Sequence, residues 1–298
     1  MNLGLPTFDP ATAGTVLQSL TGSSMDPQII LGTFLVVFAR LIGFLIVAPF
    51  FGSMNIPMTA RVALAVVLSI IIAPFVQDAA APAIVEAGST LGLSFGFLLI
   101  NQIFIGLMMG FAASLVFYAV ESAGRIIDTQ RGSNITDIIA PQTGERTSPV
   151  GQWLMMFALM LMITSGMHGM ILESFIKTFH IFPPTASLNW IGYHGAWRHS
   201  VVYKFADLSG YSLILTVQIA APAMISLLLT DVLLGVINRG APQVNVFVLS
   251  QLLKGPIGVA SVLIAIIPIS NYLQGTVIPG IAHGPNSIEA IARIMAGA

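Results

Sequence analysis

Apolar residues along this chain run in long blocks instead of alternating, and those blocks set the architecture before any motif is considered. No Asp, Glu, Lys or Arg occurs in residues 41–60, 62–77, 87–120, 147–172, 208–230 or 255–288. Several of these stretches reach the roughly 20 residues that an α-helix needs to cross bilayer hydrocarbon. A transmembrane barrel would instead show segments of about 10 residues alternating apolar and polar. Runs such as Ile100–Val120 and Trp153–Ile163 do not alternate. The pattern predicts an all-α membrane protein of six apolar helical units, at about 28–50, 60–77, 90–127, 149–178, 206–238 and 244–274. With no linker long enough to separate domains, 28–274 reads as one helical domain between an N-terminal extension, 1–27, and a C-terminal tail, 275–298.

Many of the units are interrupted. Pro49, Pro57, Pro74, Pro222, Pro256 and Pro268 lie within or at the ends of apolar runs, with Gly43, Gly52 and Gly258 nearby. Proline removes a helical hydrogen bond and kinks the helix. In a bilayer the freed backbone groups survive only where protein packs around them or water lines them. The interruptions therefore fit either ordinary kinked spans or helices arranged about a passage.

Composition agrees with membrane insertion, since 56% of the 298 residues are hydrophobic and 8% charged, against about 25% charged in a soluble domain. The absence of cysteine removes disulfides, thiolate metal sites and cysteine nucleophiles. A net charge of −1 with no basic run offers nothing to nucleic acid. Through Gln28 the chain carries Asp9 and Asp26 but no Lys or Arg, unlike the positive start of a cleaved signal. Arg61, Arg131, Arg146, Arg239 and Lys254 stand on one side of the alternating loops and Lys177, Arg198, Lys204 and Arg293 on the other. That balance is too even to set an orientation.

The remaining polar groups form a few constellations. Arg40 lies inside the first unit, where a charge costs about 2.5–3.5 kcal/mol on insertion scales unless it faces protein, water or a headgroup. Glu121, Arg125 and Asp128 are spaced i, i+4, i+7 and share one helical stripe that continues to Gly132, beside Arg131. Such a ladder is either a solvated helix end or a subunit–subunit or pore-facing contact, and burial in protein is the expectation adopted. From Gly132 to Pro149 glycine, proline and poor helix formers make a loop, longer than the usual helix connection. Asp231, Gly235 and Asn238 repeat the i, i+4, i+7 spacing. Asp231 could relay protons, although packing or capping is the commoner use of such a residue. Residues 180–204 gather His180, Trp190, Tyr193, His194, Trp197, Arg198, His199 and Tyr203, a mixture suited to a membrane–water boundary. His194 and His199 do not share a helix face, so a metal site is not expected. No zinc-helix, nucleophile-elbow or phosphate-loop motif occurs, and neither catalysis nor a cofactor is expected.

Three ordered blocks carry a resemblance. The first is Arg40-x-x-Gly43-Phe44, Pro49, Gly52, Ile56-Pro57 and Arg61. The second is Glu121-x-x-Gly124-x-x-x-Asp128-x-Gln130-Arg131-Gly132, followed by Pro141, Gly144 and Ser148-Pro149. The third is Asn238-Arg239-x-Ala241-Pro242-Gln243-x-Asn245-x-Phe247, then Lys254 and Gly258. Together, from about Val36 to Asn271, they make the chain resemble the FliR/SpaR/YscT family, the T-class export-apparatus subunits of bacterial type III secretion systems. The string Asp128-Thr-Gln130-Arg131-Gly132 and Lys254 look like the injectisome branch.

The resemblance implies kinked helical hairpins in a hetero-oligomeric spiral with R-class and S-class subunits. It implies contacts with a U-class switch subunit, the large export-gate subunit and membrane lipids, in a bacterial inner membrane. Its function would be an inner-membrane gate for unfolded secreted proteins, powered by a separate ATPase and the proton-motive force. By the same correspondence the loop Arg131–Ser148, with Gly132, Asn134, Asp137, Pro141 and Gly144, would be a plug. Arg40, Pro49, Gly52, Pro57, Arg61, Glu121, Arg125, Asp128, Gln130, Asp231, Asn238, Arg239, Pro242, Gln243, Asn245 and Lys254 would be assembly or pore contacts. A secondary transporter is the alternative that broken helices also suit, but no repeat of the Arg40 or Glu121 block is visible in the second half. An intramembrane enzyme would have only Asp128 and Asp231 as a carboxylate pair.

Overall fold

The computed structural model of the chain describes residues 27–48, 57–86, 92–133, 148–184, 201–243, 245–277, 279–280 and 288–296. Among them the helices are α1 (Pro27–Val47), α2 (Met58–Glu86), α3 (Leu93–Arg131), α4 (Pro149–Thr164), α5 (Met167–Ile181), α6 (Val201–Gly240), α7 (Val246–Tyr272) and α8 (Ile288–Ala296). A π-helical turn, Leu273–Val277, prolongs α7. Five of these helices are long and apolar enough to span a membrane, and α4 with α5 adds a sixth if the pair is one span. The expected six units thus stand as all-α membrane architecture, the fourth divided in two. The division falls at Ser165-Gly166, where Gly166 has φ +71° and the path turns by 77°.

The proline-bearing helices continue through their prolines: Pro74 and Pro82 lie inside α2, Pro222 inside α6, and Pro256 and Pro268 inside α7. At 39 and 40 residues, α3 and α6 are about 60 Å long at 1.5 Å per residue, twice the hydrocarbon thickness.

The described residues fall within two compact units, Met1–Gly110 with Ile176–Leu188, and Phe111–Phe175 with Asn189–Ala298. The division runs through the continuous helices α3 and α5, so no linker composition announces it.

In the first unit α1 packs along α2, with Gly32 near the start of α1 against Ile84 near the end of α2. The other side of α1 lies on α3 at backbone contact. A β-carbon at Gly106 or Gly110 would overlap the carbonyl of Arg40 or Phe44, and one at Gly43 that of Ile103. Gly106-x-x-x-Gly110 is thus a small-residue groove that admits the α1 backbone. Around it Val36, Val37, Leu41, Ile105 and Met109 have no exposure.

In the second unit α6 and α7 form an antiparallel hairpin, joined near its tip by Asp231 and Lys254 and farther along by Gln218 and Tyr272. The amphipathic α8 packs on α6 and buries Ile291 and Ala292. A stretch that reads as tail by its sequence therefore contains a docked helix.

Candidate functional site

Two polar centres stand out, one in each unit. In the first, Arg40 is completely buried, and no carboxylate among the described residues is bonded to it. Its Nε donates to Gln102 Oε1 at 2.8 Å and its Nη2 to the Phe182 carbonyl at 3.1 Å. The guanidinium carbon also sits 4.1 Å from the centroid of the Phe179 ring. Phe182 directly follows α5, so its carbonyl belongs to the negative end of that helix dipole. The ring face adds further negative potential. One fork of donors thereby ties α1, α3 and the end of α5 together. Of the surroundings that sequence allows for Arg40, the structure selects protein.

The second centre is built on Asp128, near the end of α3, with 1% exposure. Its Oδ1 accepts from Arg131 Nη1 at 3.0 Å. Its Oδ2 accepts from Ser148 Oγ at 2.7 Å and from the backbone N–H of Val150 at 2.9 Å. Ser148 is also the N-cap of α4, its hydroxyl accepting from Gly151 N while Pro149 opens the helix. Residues 128 and 150 are thus drawn together although the intervening chain could separate them. The exit from α3 is shaped by Gly132, with φ +77°, and by Ser133, whose N–H and hydroxyl both donate to the Asp128 carbonyl. Gln251 of α7 lies against Gly132, and the stem of Arg131 lies on Gly258.

This geometry divides the ladder that helical spacing groups together. Arg125 pairs with Glu121 at 2.6 Å, but its side chain is 60% exposed and that of Glu121 21%. Within this chain, taken without neighbouring subunits, Asp128 is buried and Arg125 is exposed. Asp128 turns to Arg131, one turn later, and to the start of α4. Helical spacing shows which residues share a stripe, not where on the stripe a second helix lies.

Asp231 meets Lys254 at 2.5 Å, both side chains partly exposed. Each aspartate of the conceivable catalytic pair thus has a cation of its own. Asn245 caps α7, accepting from Val248 N at 3.3 Å. Asn238, Arg239, Pro242 and Gln243 are exposed at the hairpin tip. Pro57 is exposed just before α2, its carbonyl accepting from Ala60 N and Arg61 N, while Arg61 and Gln130 are half-buried. Pro49, Gly52, Asn134, Asp137, Pro141 and Gly144 lie outside the described residues, as do 185–200 of the aromatic-basic segment. Among the described residues no group of three or more His, Asp or Glu could hold a metal ion.

Sequence reasoning passed over Gln102, Phe179 and Phe182, which join Arg40 through the fold alone. It also passed over Gly106 and Gly110, although the small-xxx-small spacing was there to be read.

Residues 31–277 match the family described as bacterial export proteins, family 1. The chain is similar to the flagellar biosynthetic protein FliR of Bacillus subtilis, with 30% identity over 221 residues, covering 74% of this chain and 81% of that protein. It is similar to the surface presentation of antigens protein SpaR of Shigella flexneri, 34% identical over 170 residues, 57% of this chain and 62% of that one. The Yop proteins translocation protein T of Yersinia pestis is 30% identical over 171 residues, 56% of this chain and 60% of that one. The last two are thus matched over less than two thirds of their length.

Proposed function

The chain belongs to the bacterial export proteins of family 1, and from that membership we propose that it is the T-class subunit of a type III secretion export gate. It is an export-apparatus component and a multi-pass inner-membrane protein. On the proposed reading it joins R-class and S-class subunits to line the passage for unfolded secreted proteins, with the U-class switch subunit and the large export-gate subunit as neighbours. The injectisome branch is favoured by the Asp128-to-Gly132 string and Lys254, and relatives of both flagellar and secretion type support the common function.

The observation that carries the reading is the convergence of two motif blocks at the foot of one loop. Asp128, Arg131, Gly132 and Ser148 of the second block come together there with Gly258 of the third. A passive connector needs no buried carboxylate to hold its two ends. On this reading the loop Arg131–Ser148 is the closed-state seal, and the chain performs no catalysis. The cation at each of Asp128 and Asp231 supports that last point, because a catalytic carboxylate dyad shares one proton between neighbouring acids.

Deleting Ile135–Gln142 in a strain carrying the partner subunits tests the seal. The expected result is normal assembly of the complex together with an ion or small-solute leak, read as membrane conductance. Normal assembly with no leak removes the plug role.

A further inference from the structure

Arg131 leaves α3 at the foot of the loop and is held from two directions. Its Nη1 donates to Asp128 Oδ1 at 3.0 Å, and its aliphatic stem lies on Gly258 of α7, where an added β-carbon would overlap its Cγ and Cδ. The other oxygen of Asp128 holds Ser148 and Val150 at the start of α4. A continuous line of contacts thus runs from α7 through one stem of the loop to the other.

The α7 end of that line is a weak point in its helix. Pro256, inside α7 and two residues before Gly258, removes a helical hydrogen bond and lets the helix bend there. A bend at Gly255–Gly258 moves the surface on which Arg131 rests. Asp128 is buried, so loss of its cation leaves the charge on the Ser148 and Val150 donors alone, which is unfavourable and favours the engaged pair.

We propose that Arg131 is a positioning residue, a latch that transmits the setting of α7 at Gly255–Gly258 to the spacing of the two loop stems. Its consequence for passage rests on the plug reading. The coupling itself rests on the contacts.

The chain has no cysteine, so cysteines placed at Thr129 and Gln152, both exposed and flanking the clasp, carry the only spin labels on this chain. The distance distribution between them is measured in the full chain assembled with its partner subunits, and conductance is recorded on the same variants. The parent gives a narrow distribution. Asp128→Asn, Arg131→Met and Gly258→Val each broaden it roughly twofold, as expected for release of a local restraint. Gly258→Val combined with Arg131→Met broadens it no further than either alone.

Arg131→Met keeps the stem on Gly258 and removes the charge, so a narrow distribution in that variant reduces Arg131 to packing and overturns the latch. Broadening by Asp128→Asn but not by Gly258→Val overturns the coupling to α7. If Asp128→Asn does not assemble, the other two variants carry the test. Broadened distances without a leak support the latch and remove the plug reading, whereas a leak without broadening overturns the latch and leaves the plug.

Discussion

A buried guanidinium is balanced by dipoles where no carboxylate is bonded to it, and among the described residues Arg40 meets two carbonyl oxygens and an aromatic face. Removing it strands the acceptors of Gln102 and Phe182, at about 1–3 kcal/mol for each unsatisfied group. Arg40→Ala is therefore expected to destabilise the first unit by several times RT, seen as a lower melting temperature of the purified complex and less protein in the membrane. Arg40→Lys keeps the charge over Phe179 but cannot place two donors in a fixed fork, so its loss is expected to be smaller but still measurable. Equal stability of all three proteins contradicts the tie. At Asp128 the same reasoning explains what helical spacing does not show: the carboxylate has neutral donors at Ser148 and Val150 as well as a cation, and those donors lie 20 residues or more away in sequence.

Among the elements, the α1–α3 contact depends on the absence of side chains at Gly43, Gly106 and Gly110. The atoms that an added β-carbon would meet are mainly backbone, which cannot swing aside as a side-chain tip can. Overpacking commonly costs about 1–3 kcal/mol. Gly106→Val is expected to reach or exceed that range because α1 as a whole has to shift. A folding assay in detergent, such as protease resistance of the α1–α3 segment, checks this. Gly96, with open space beside it, supplies the control: Gly96→Ala is expected to be silent. Parent-like resistance in Gly106→Val would show that the two backbones do not approach as described.

For the whole molecule, the question is what covers its apolar surface. Exposed apolar side chains on α6 run from Val202 through Leu213, Ile225, Leu229 and Val232 to Ile237. That span is about 50 Å of helix at 1.5 Å per residue, whereas bilayer hydrocarbon covers about 30 Å. Tilt within the usual range does not close the gap. Protein is the other cover available, in keeping with export-apparatus partners. Expressed alone, the chain is expected to aggregate or be degraded, and co-expression with R-class and S-class subunits is expected to give one discrete complex by size-exclusion chromatography. A monodisperse solitary protein in mild detergent would contradict this.

Block hydrophobicity, the near absence of charge and the three motif blocks determine that the chain is a helical membrane protein and point to its family. These are local properties: a run of some 20 apolar residues has few alternatives to a spanning helix, and turn chemistry marks the end of α3 at Gly132 and the start of α4 at Ser148-Pro149 without knowledge of their neighbours. The tertiary structure decides which polar groups meet. Arg40 finds Gln102 and Phe182 from 62 and 142 residues away, Asp128 chooses Ser148 and Val150 over Arg125, and Gly258 becomes the seat of Arg131. Each pairing depends on which faces of two helices touch, and a sequence whose helices are apolar on nearly every side does not mark those faces. Where hydrophobicity has no direction, close backbone approach at glycine and the need to satisfy buried charge select the contacts, and both are settled only once the helices pack.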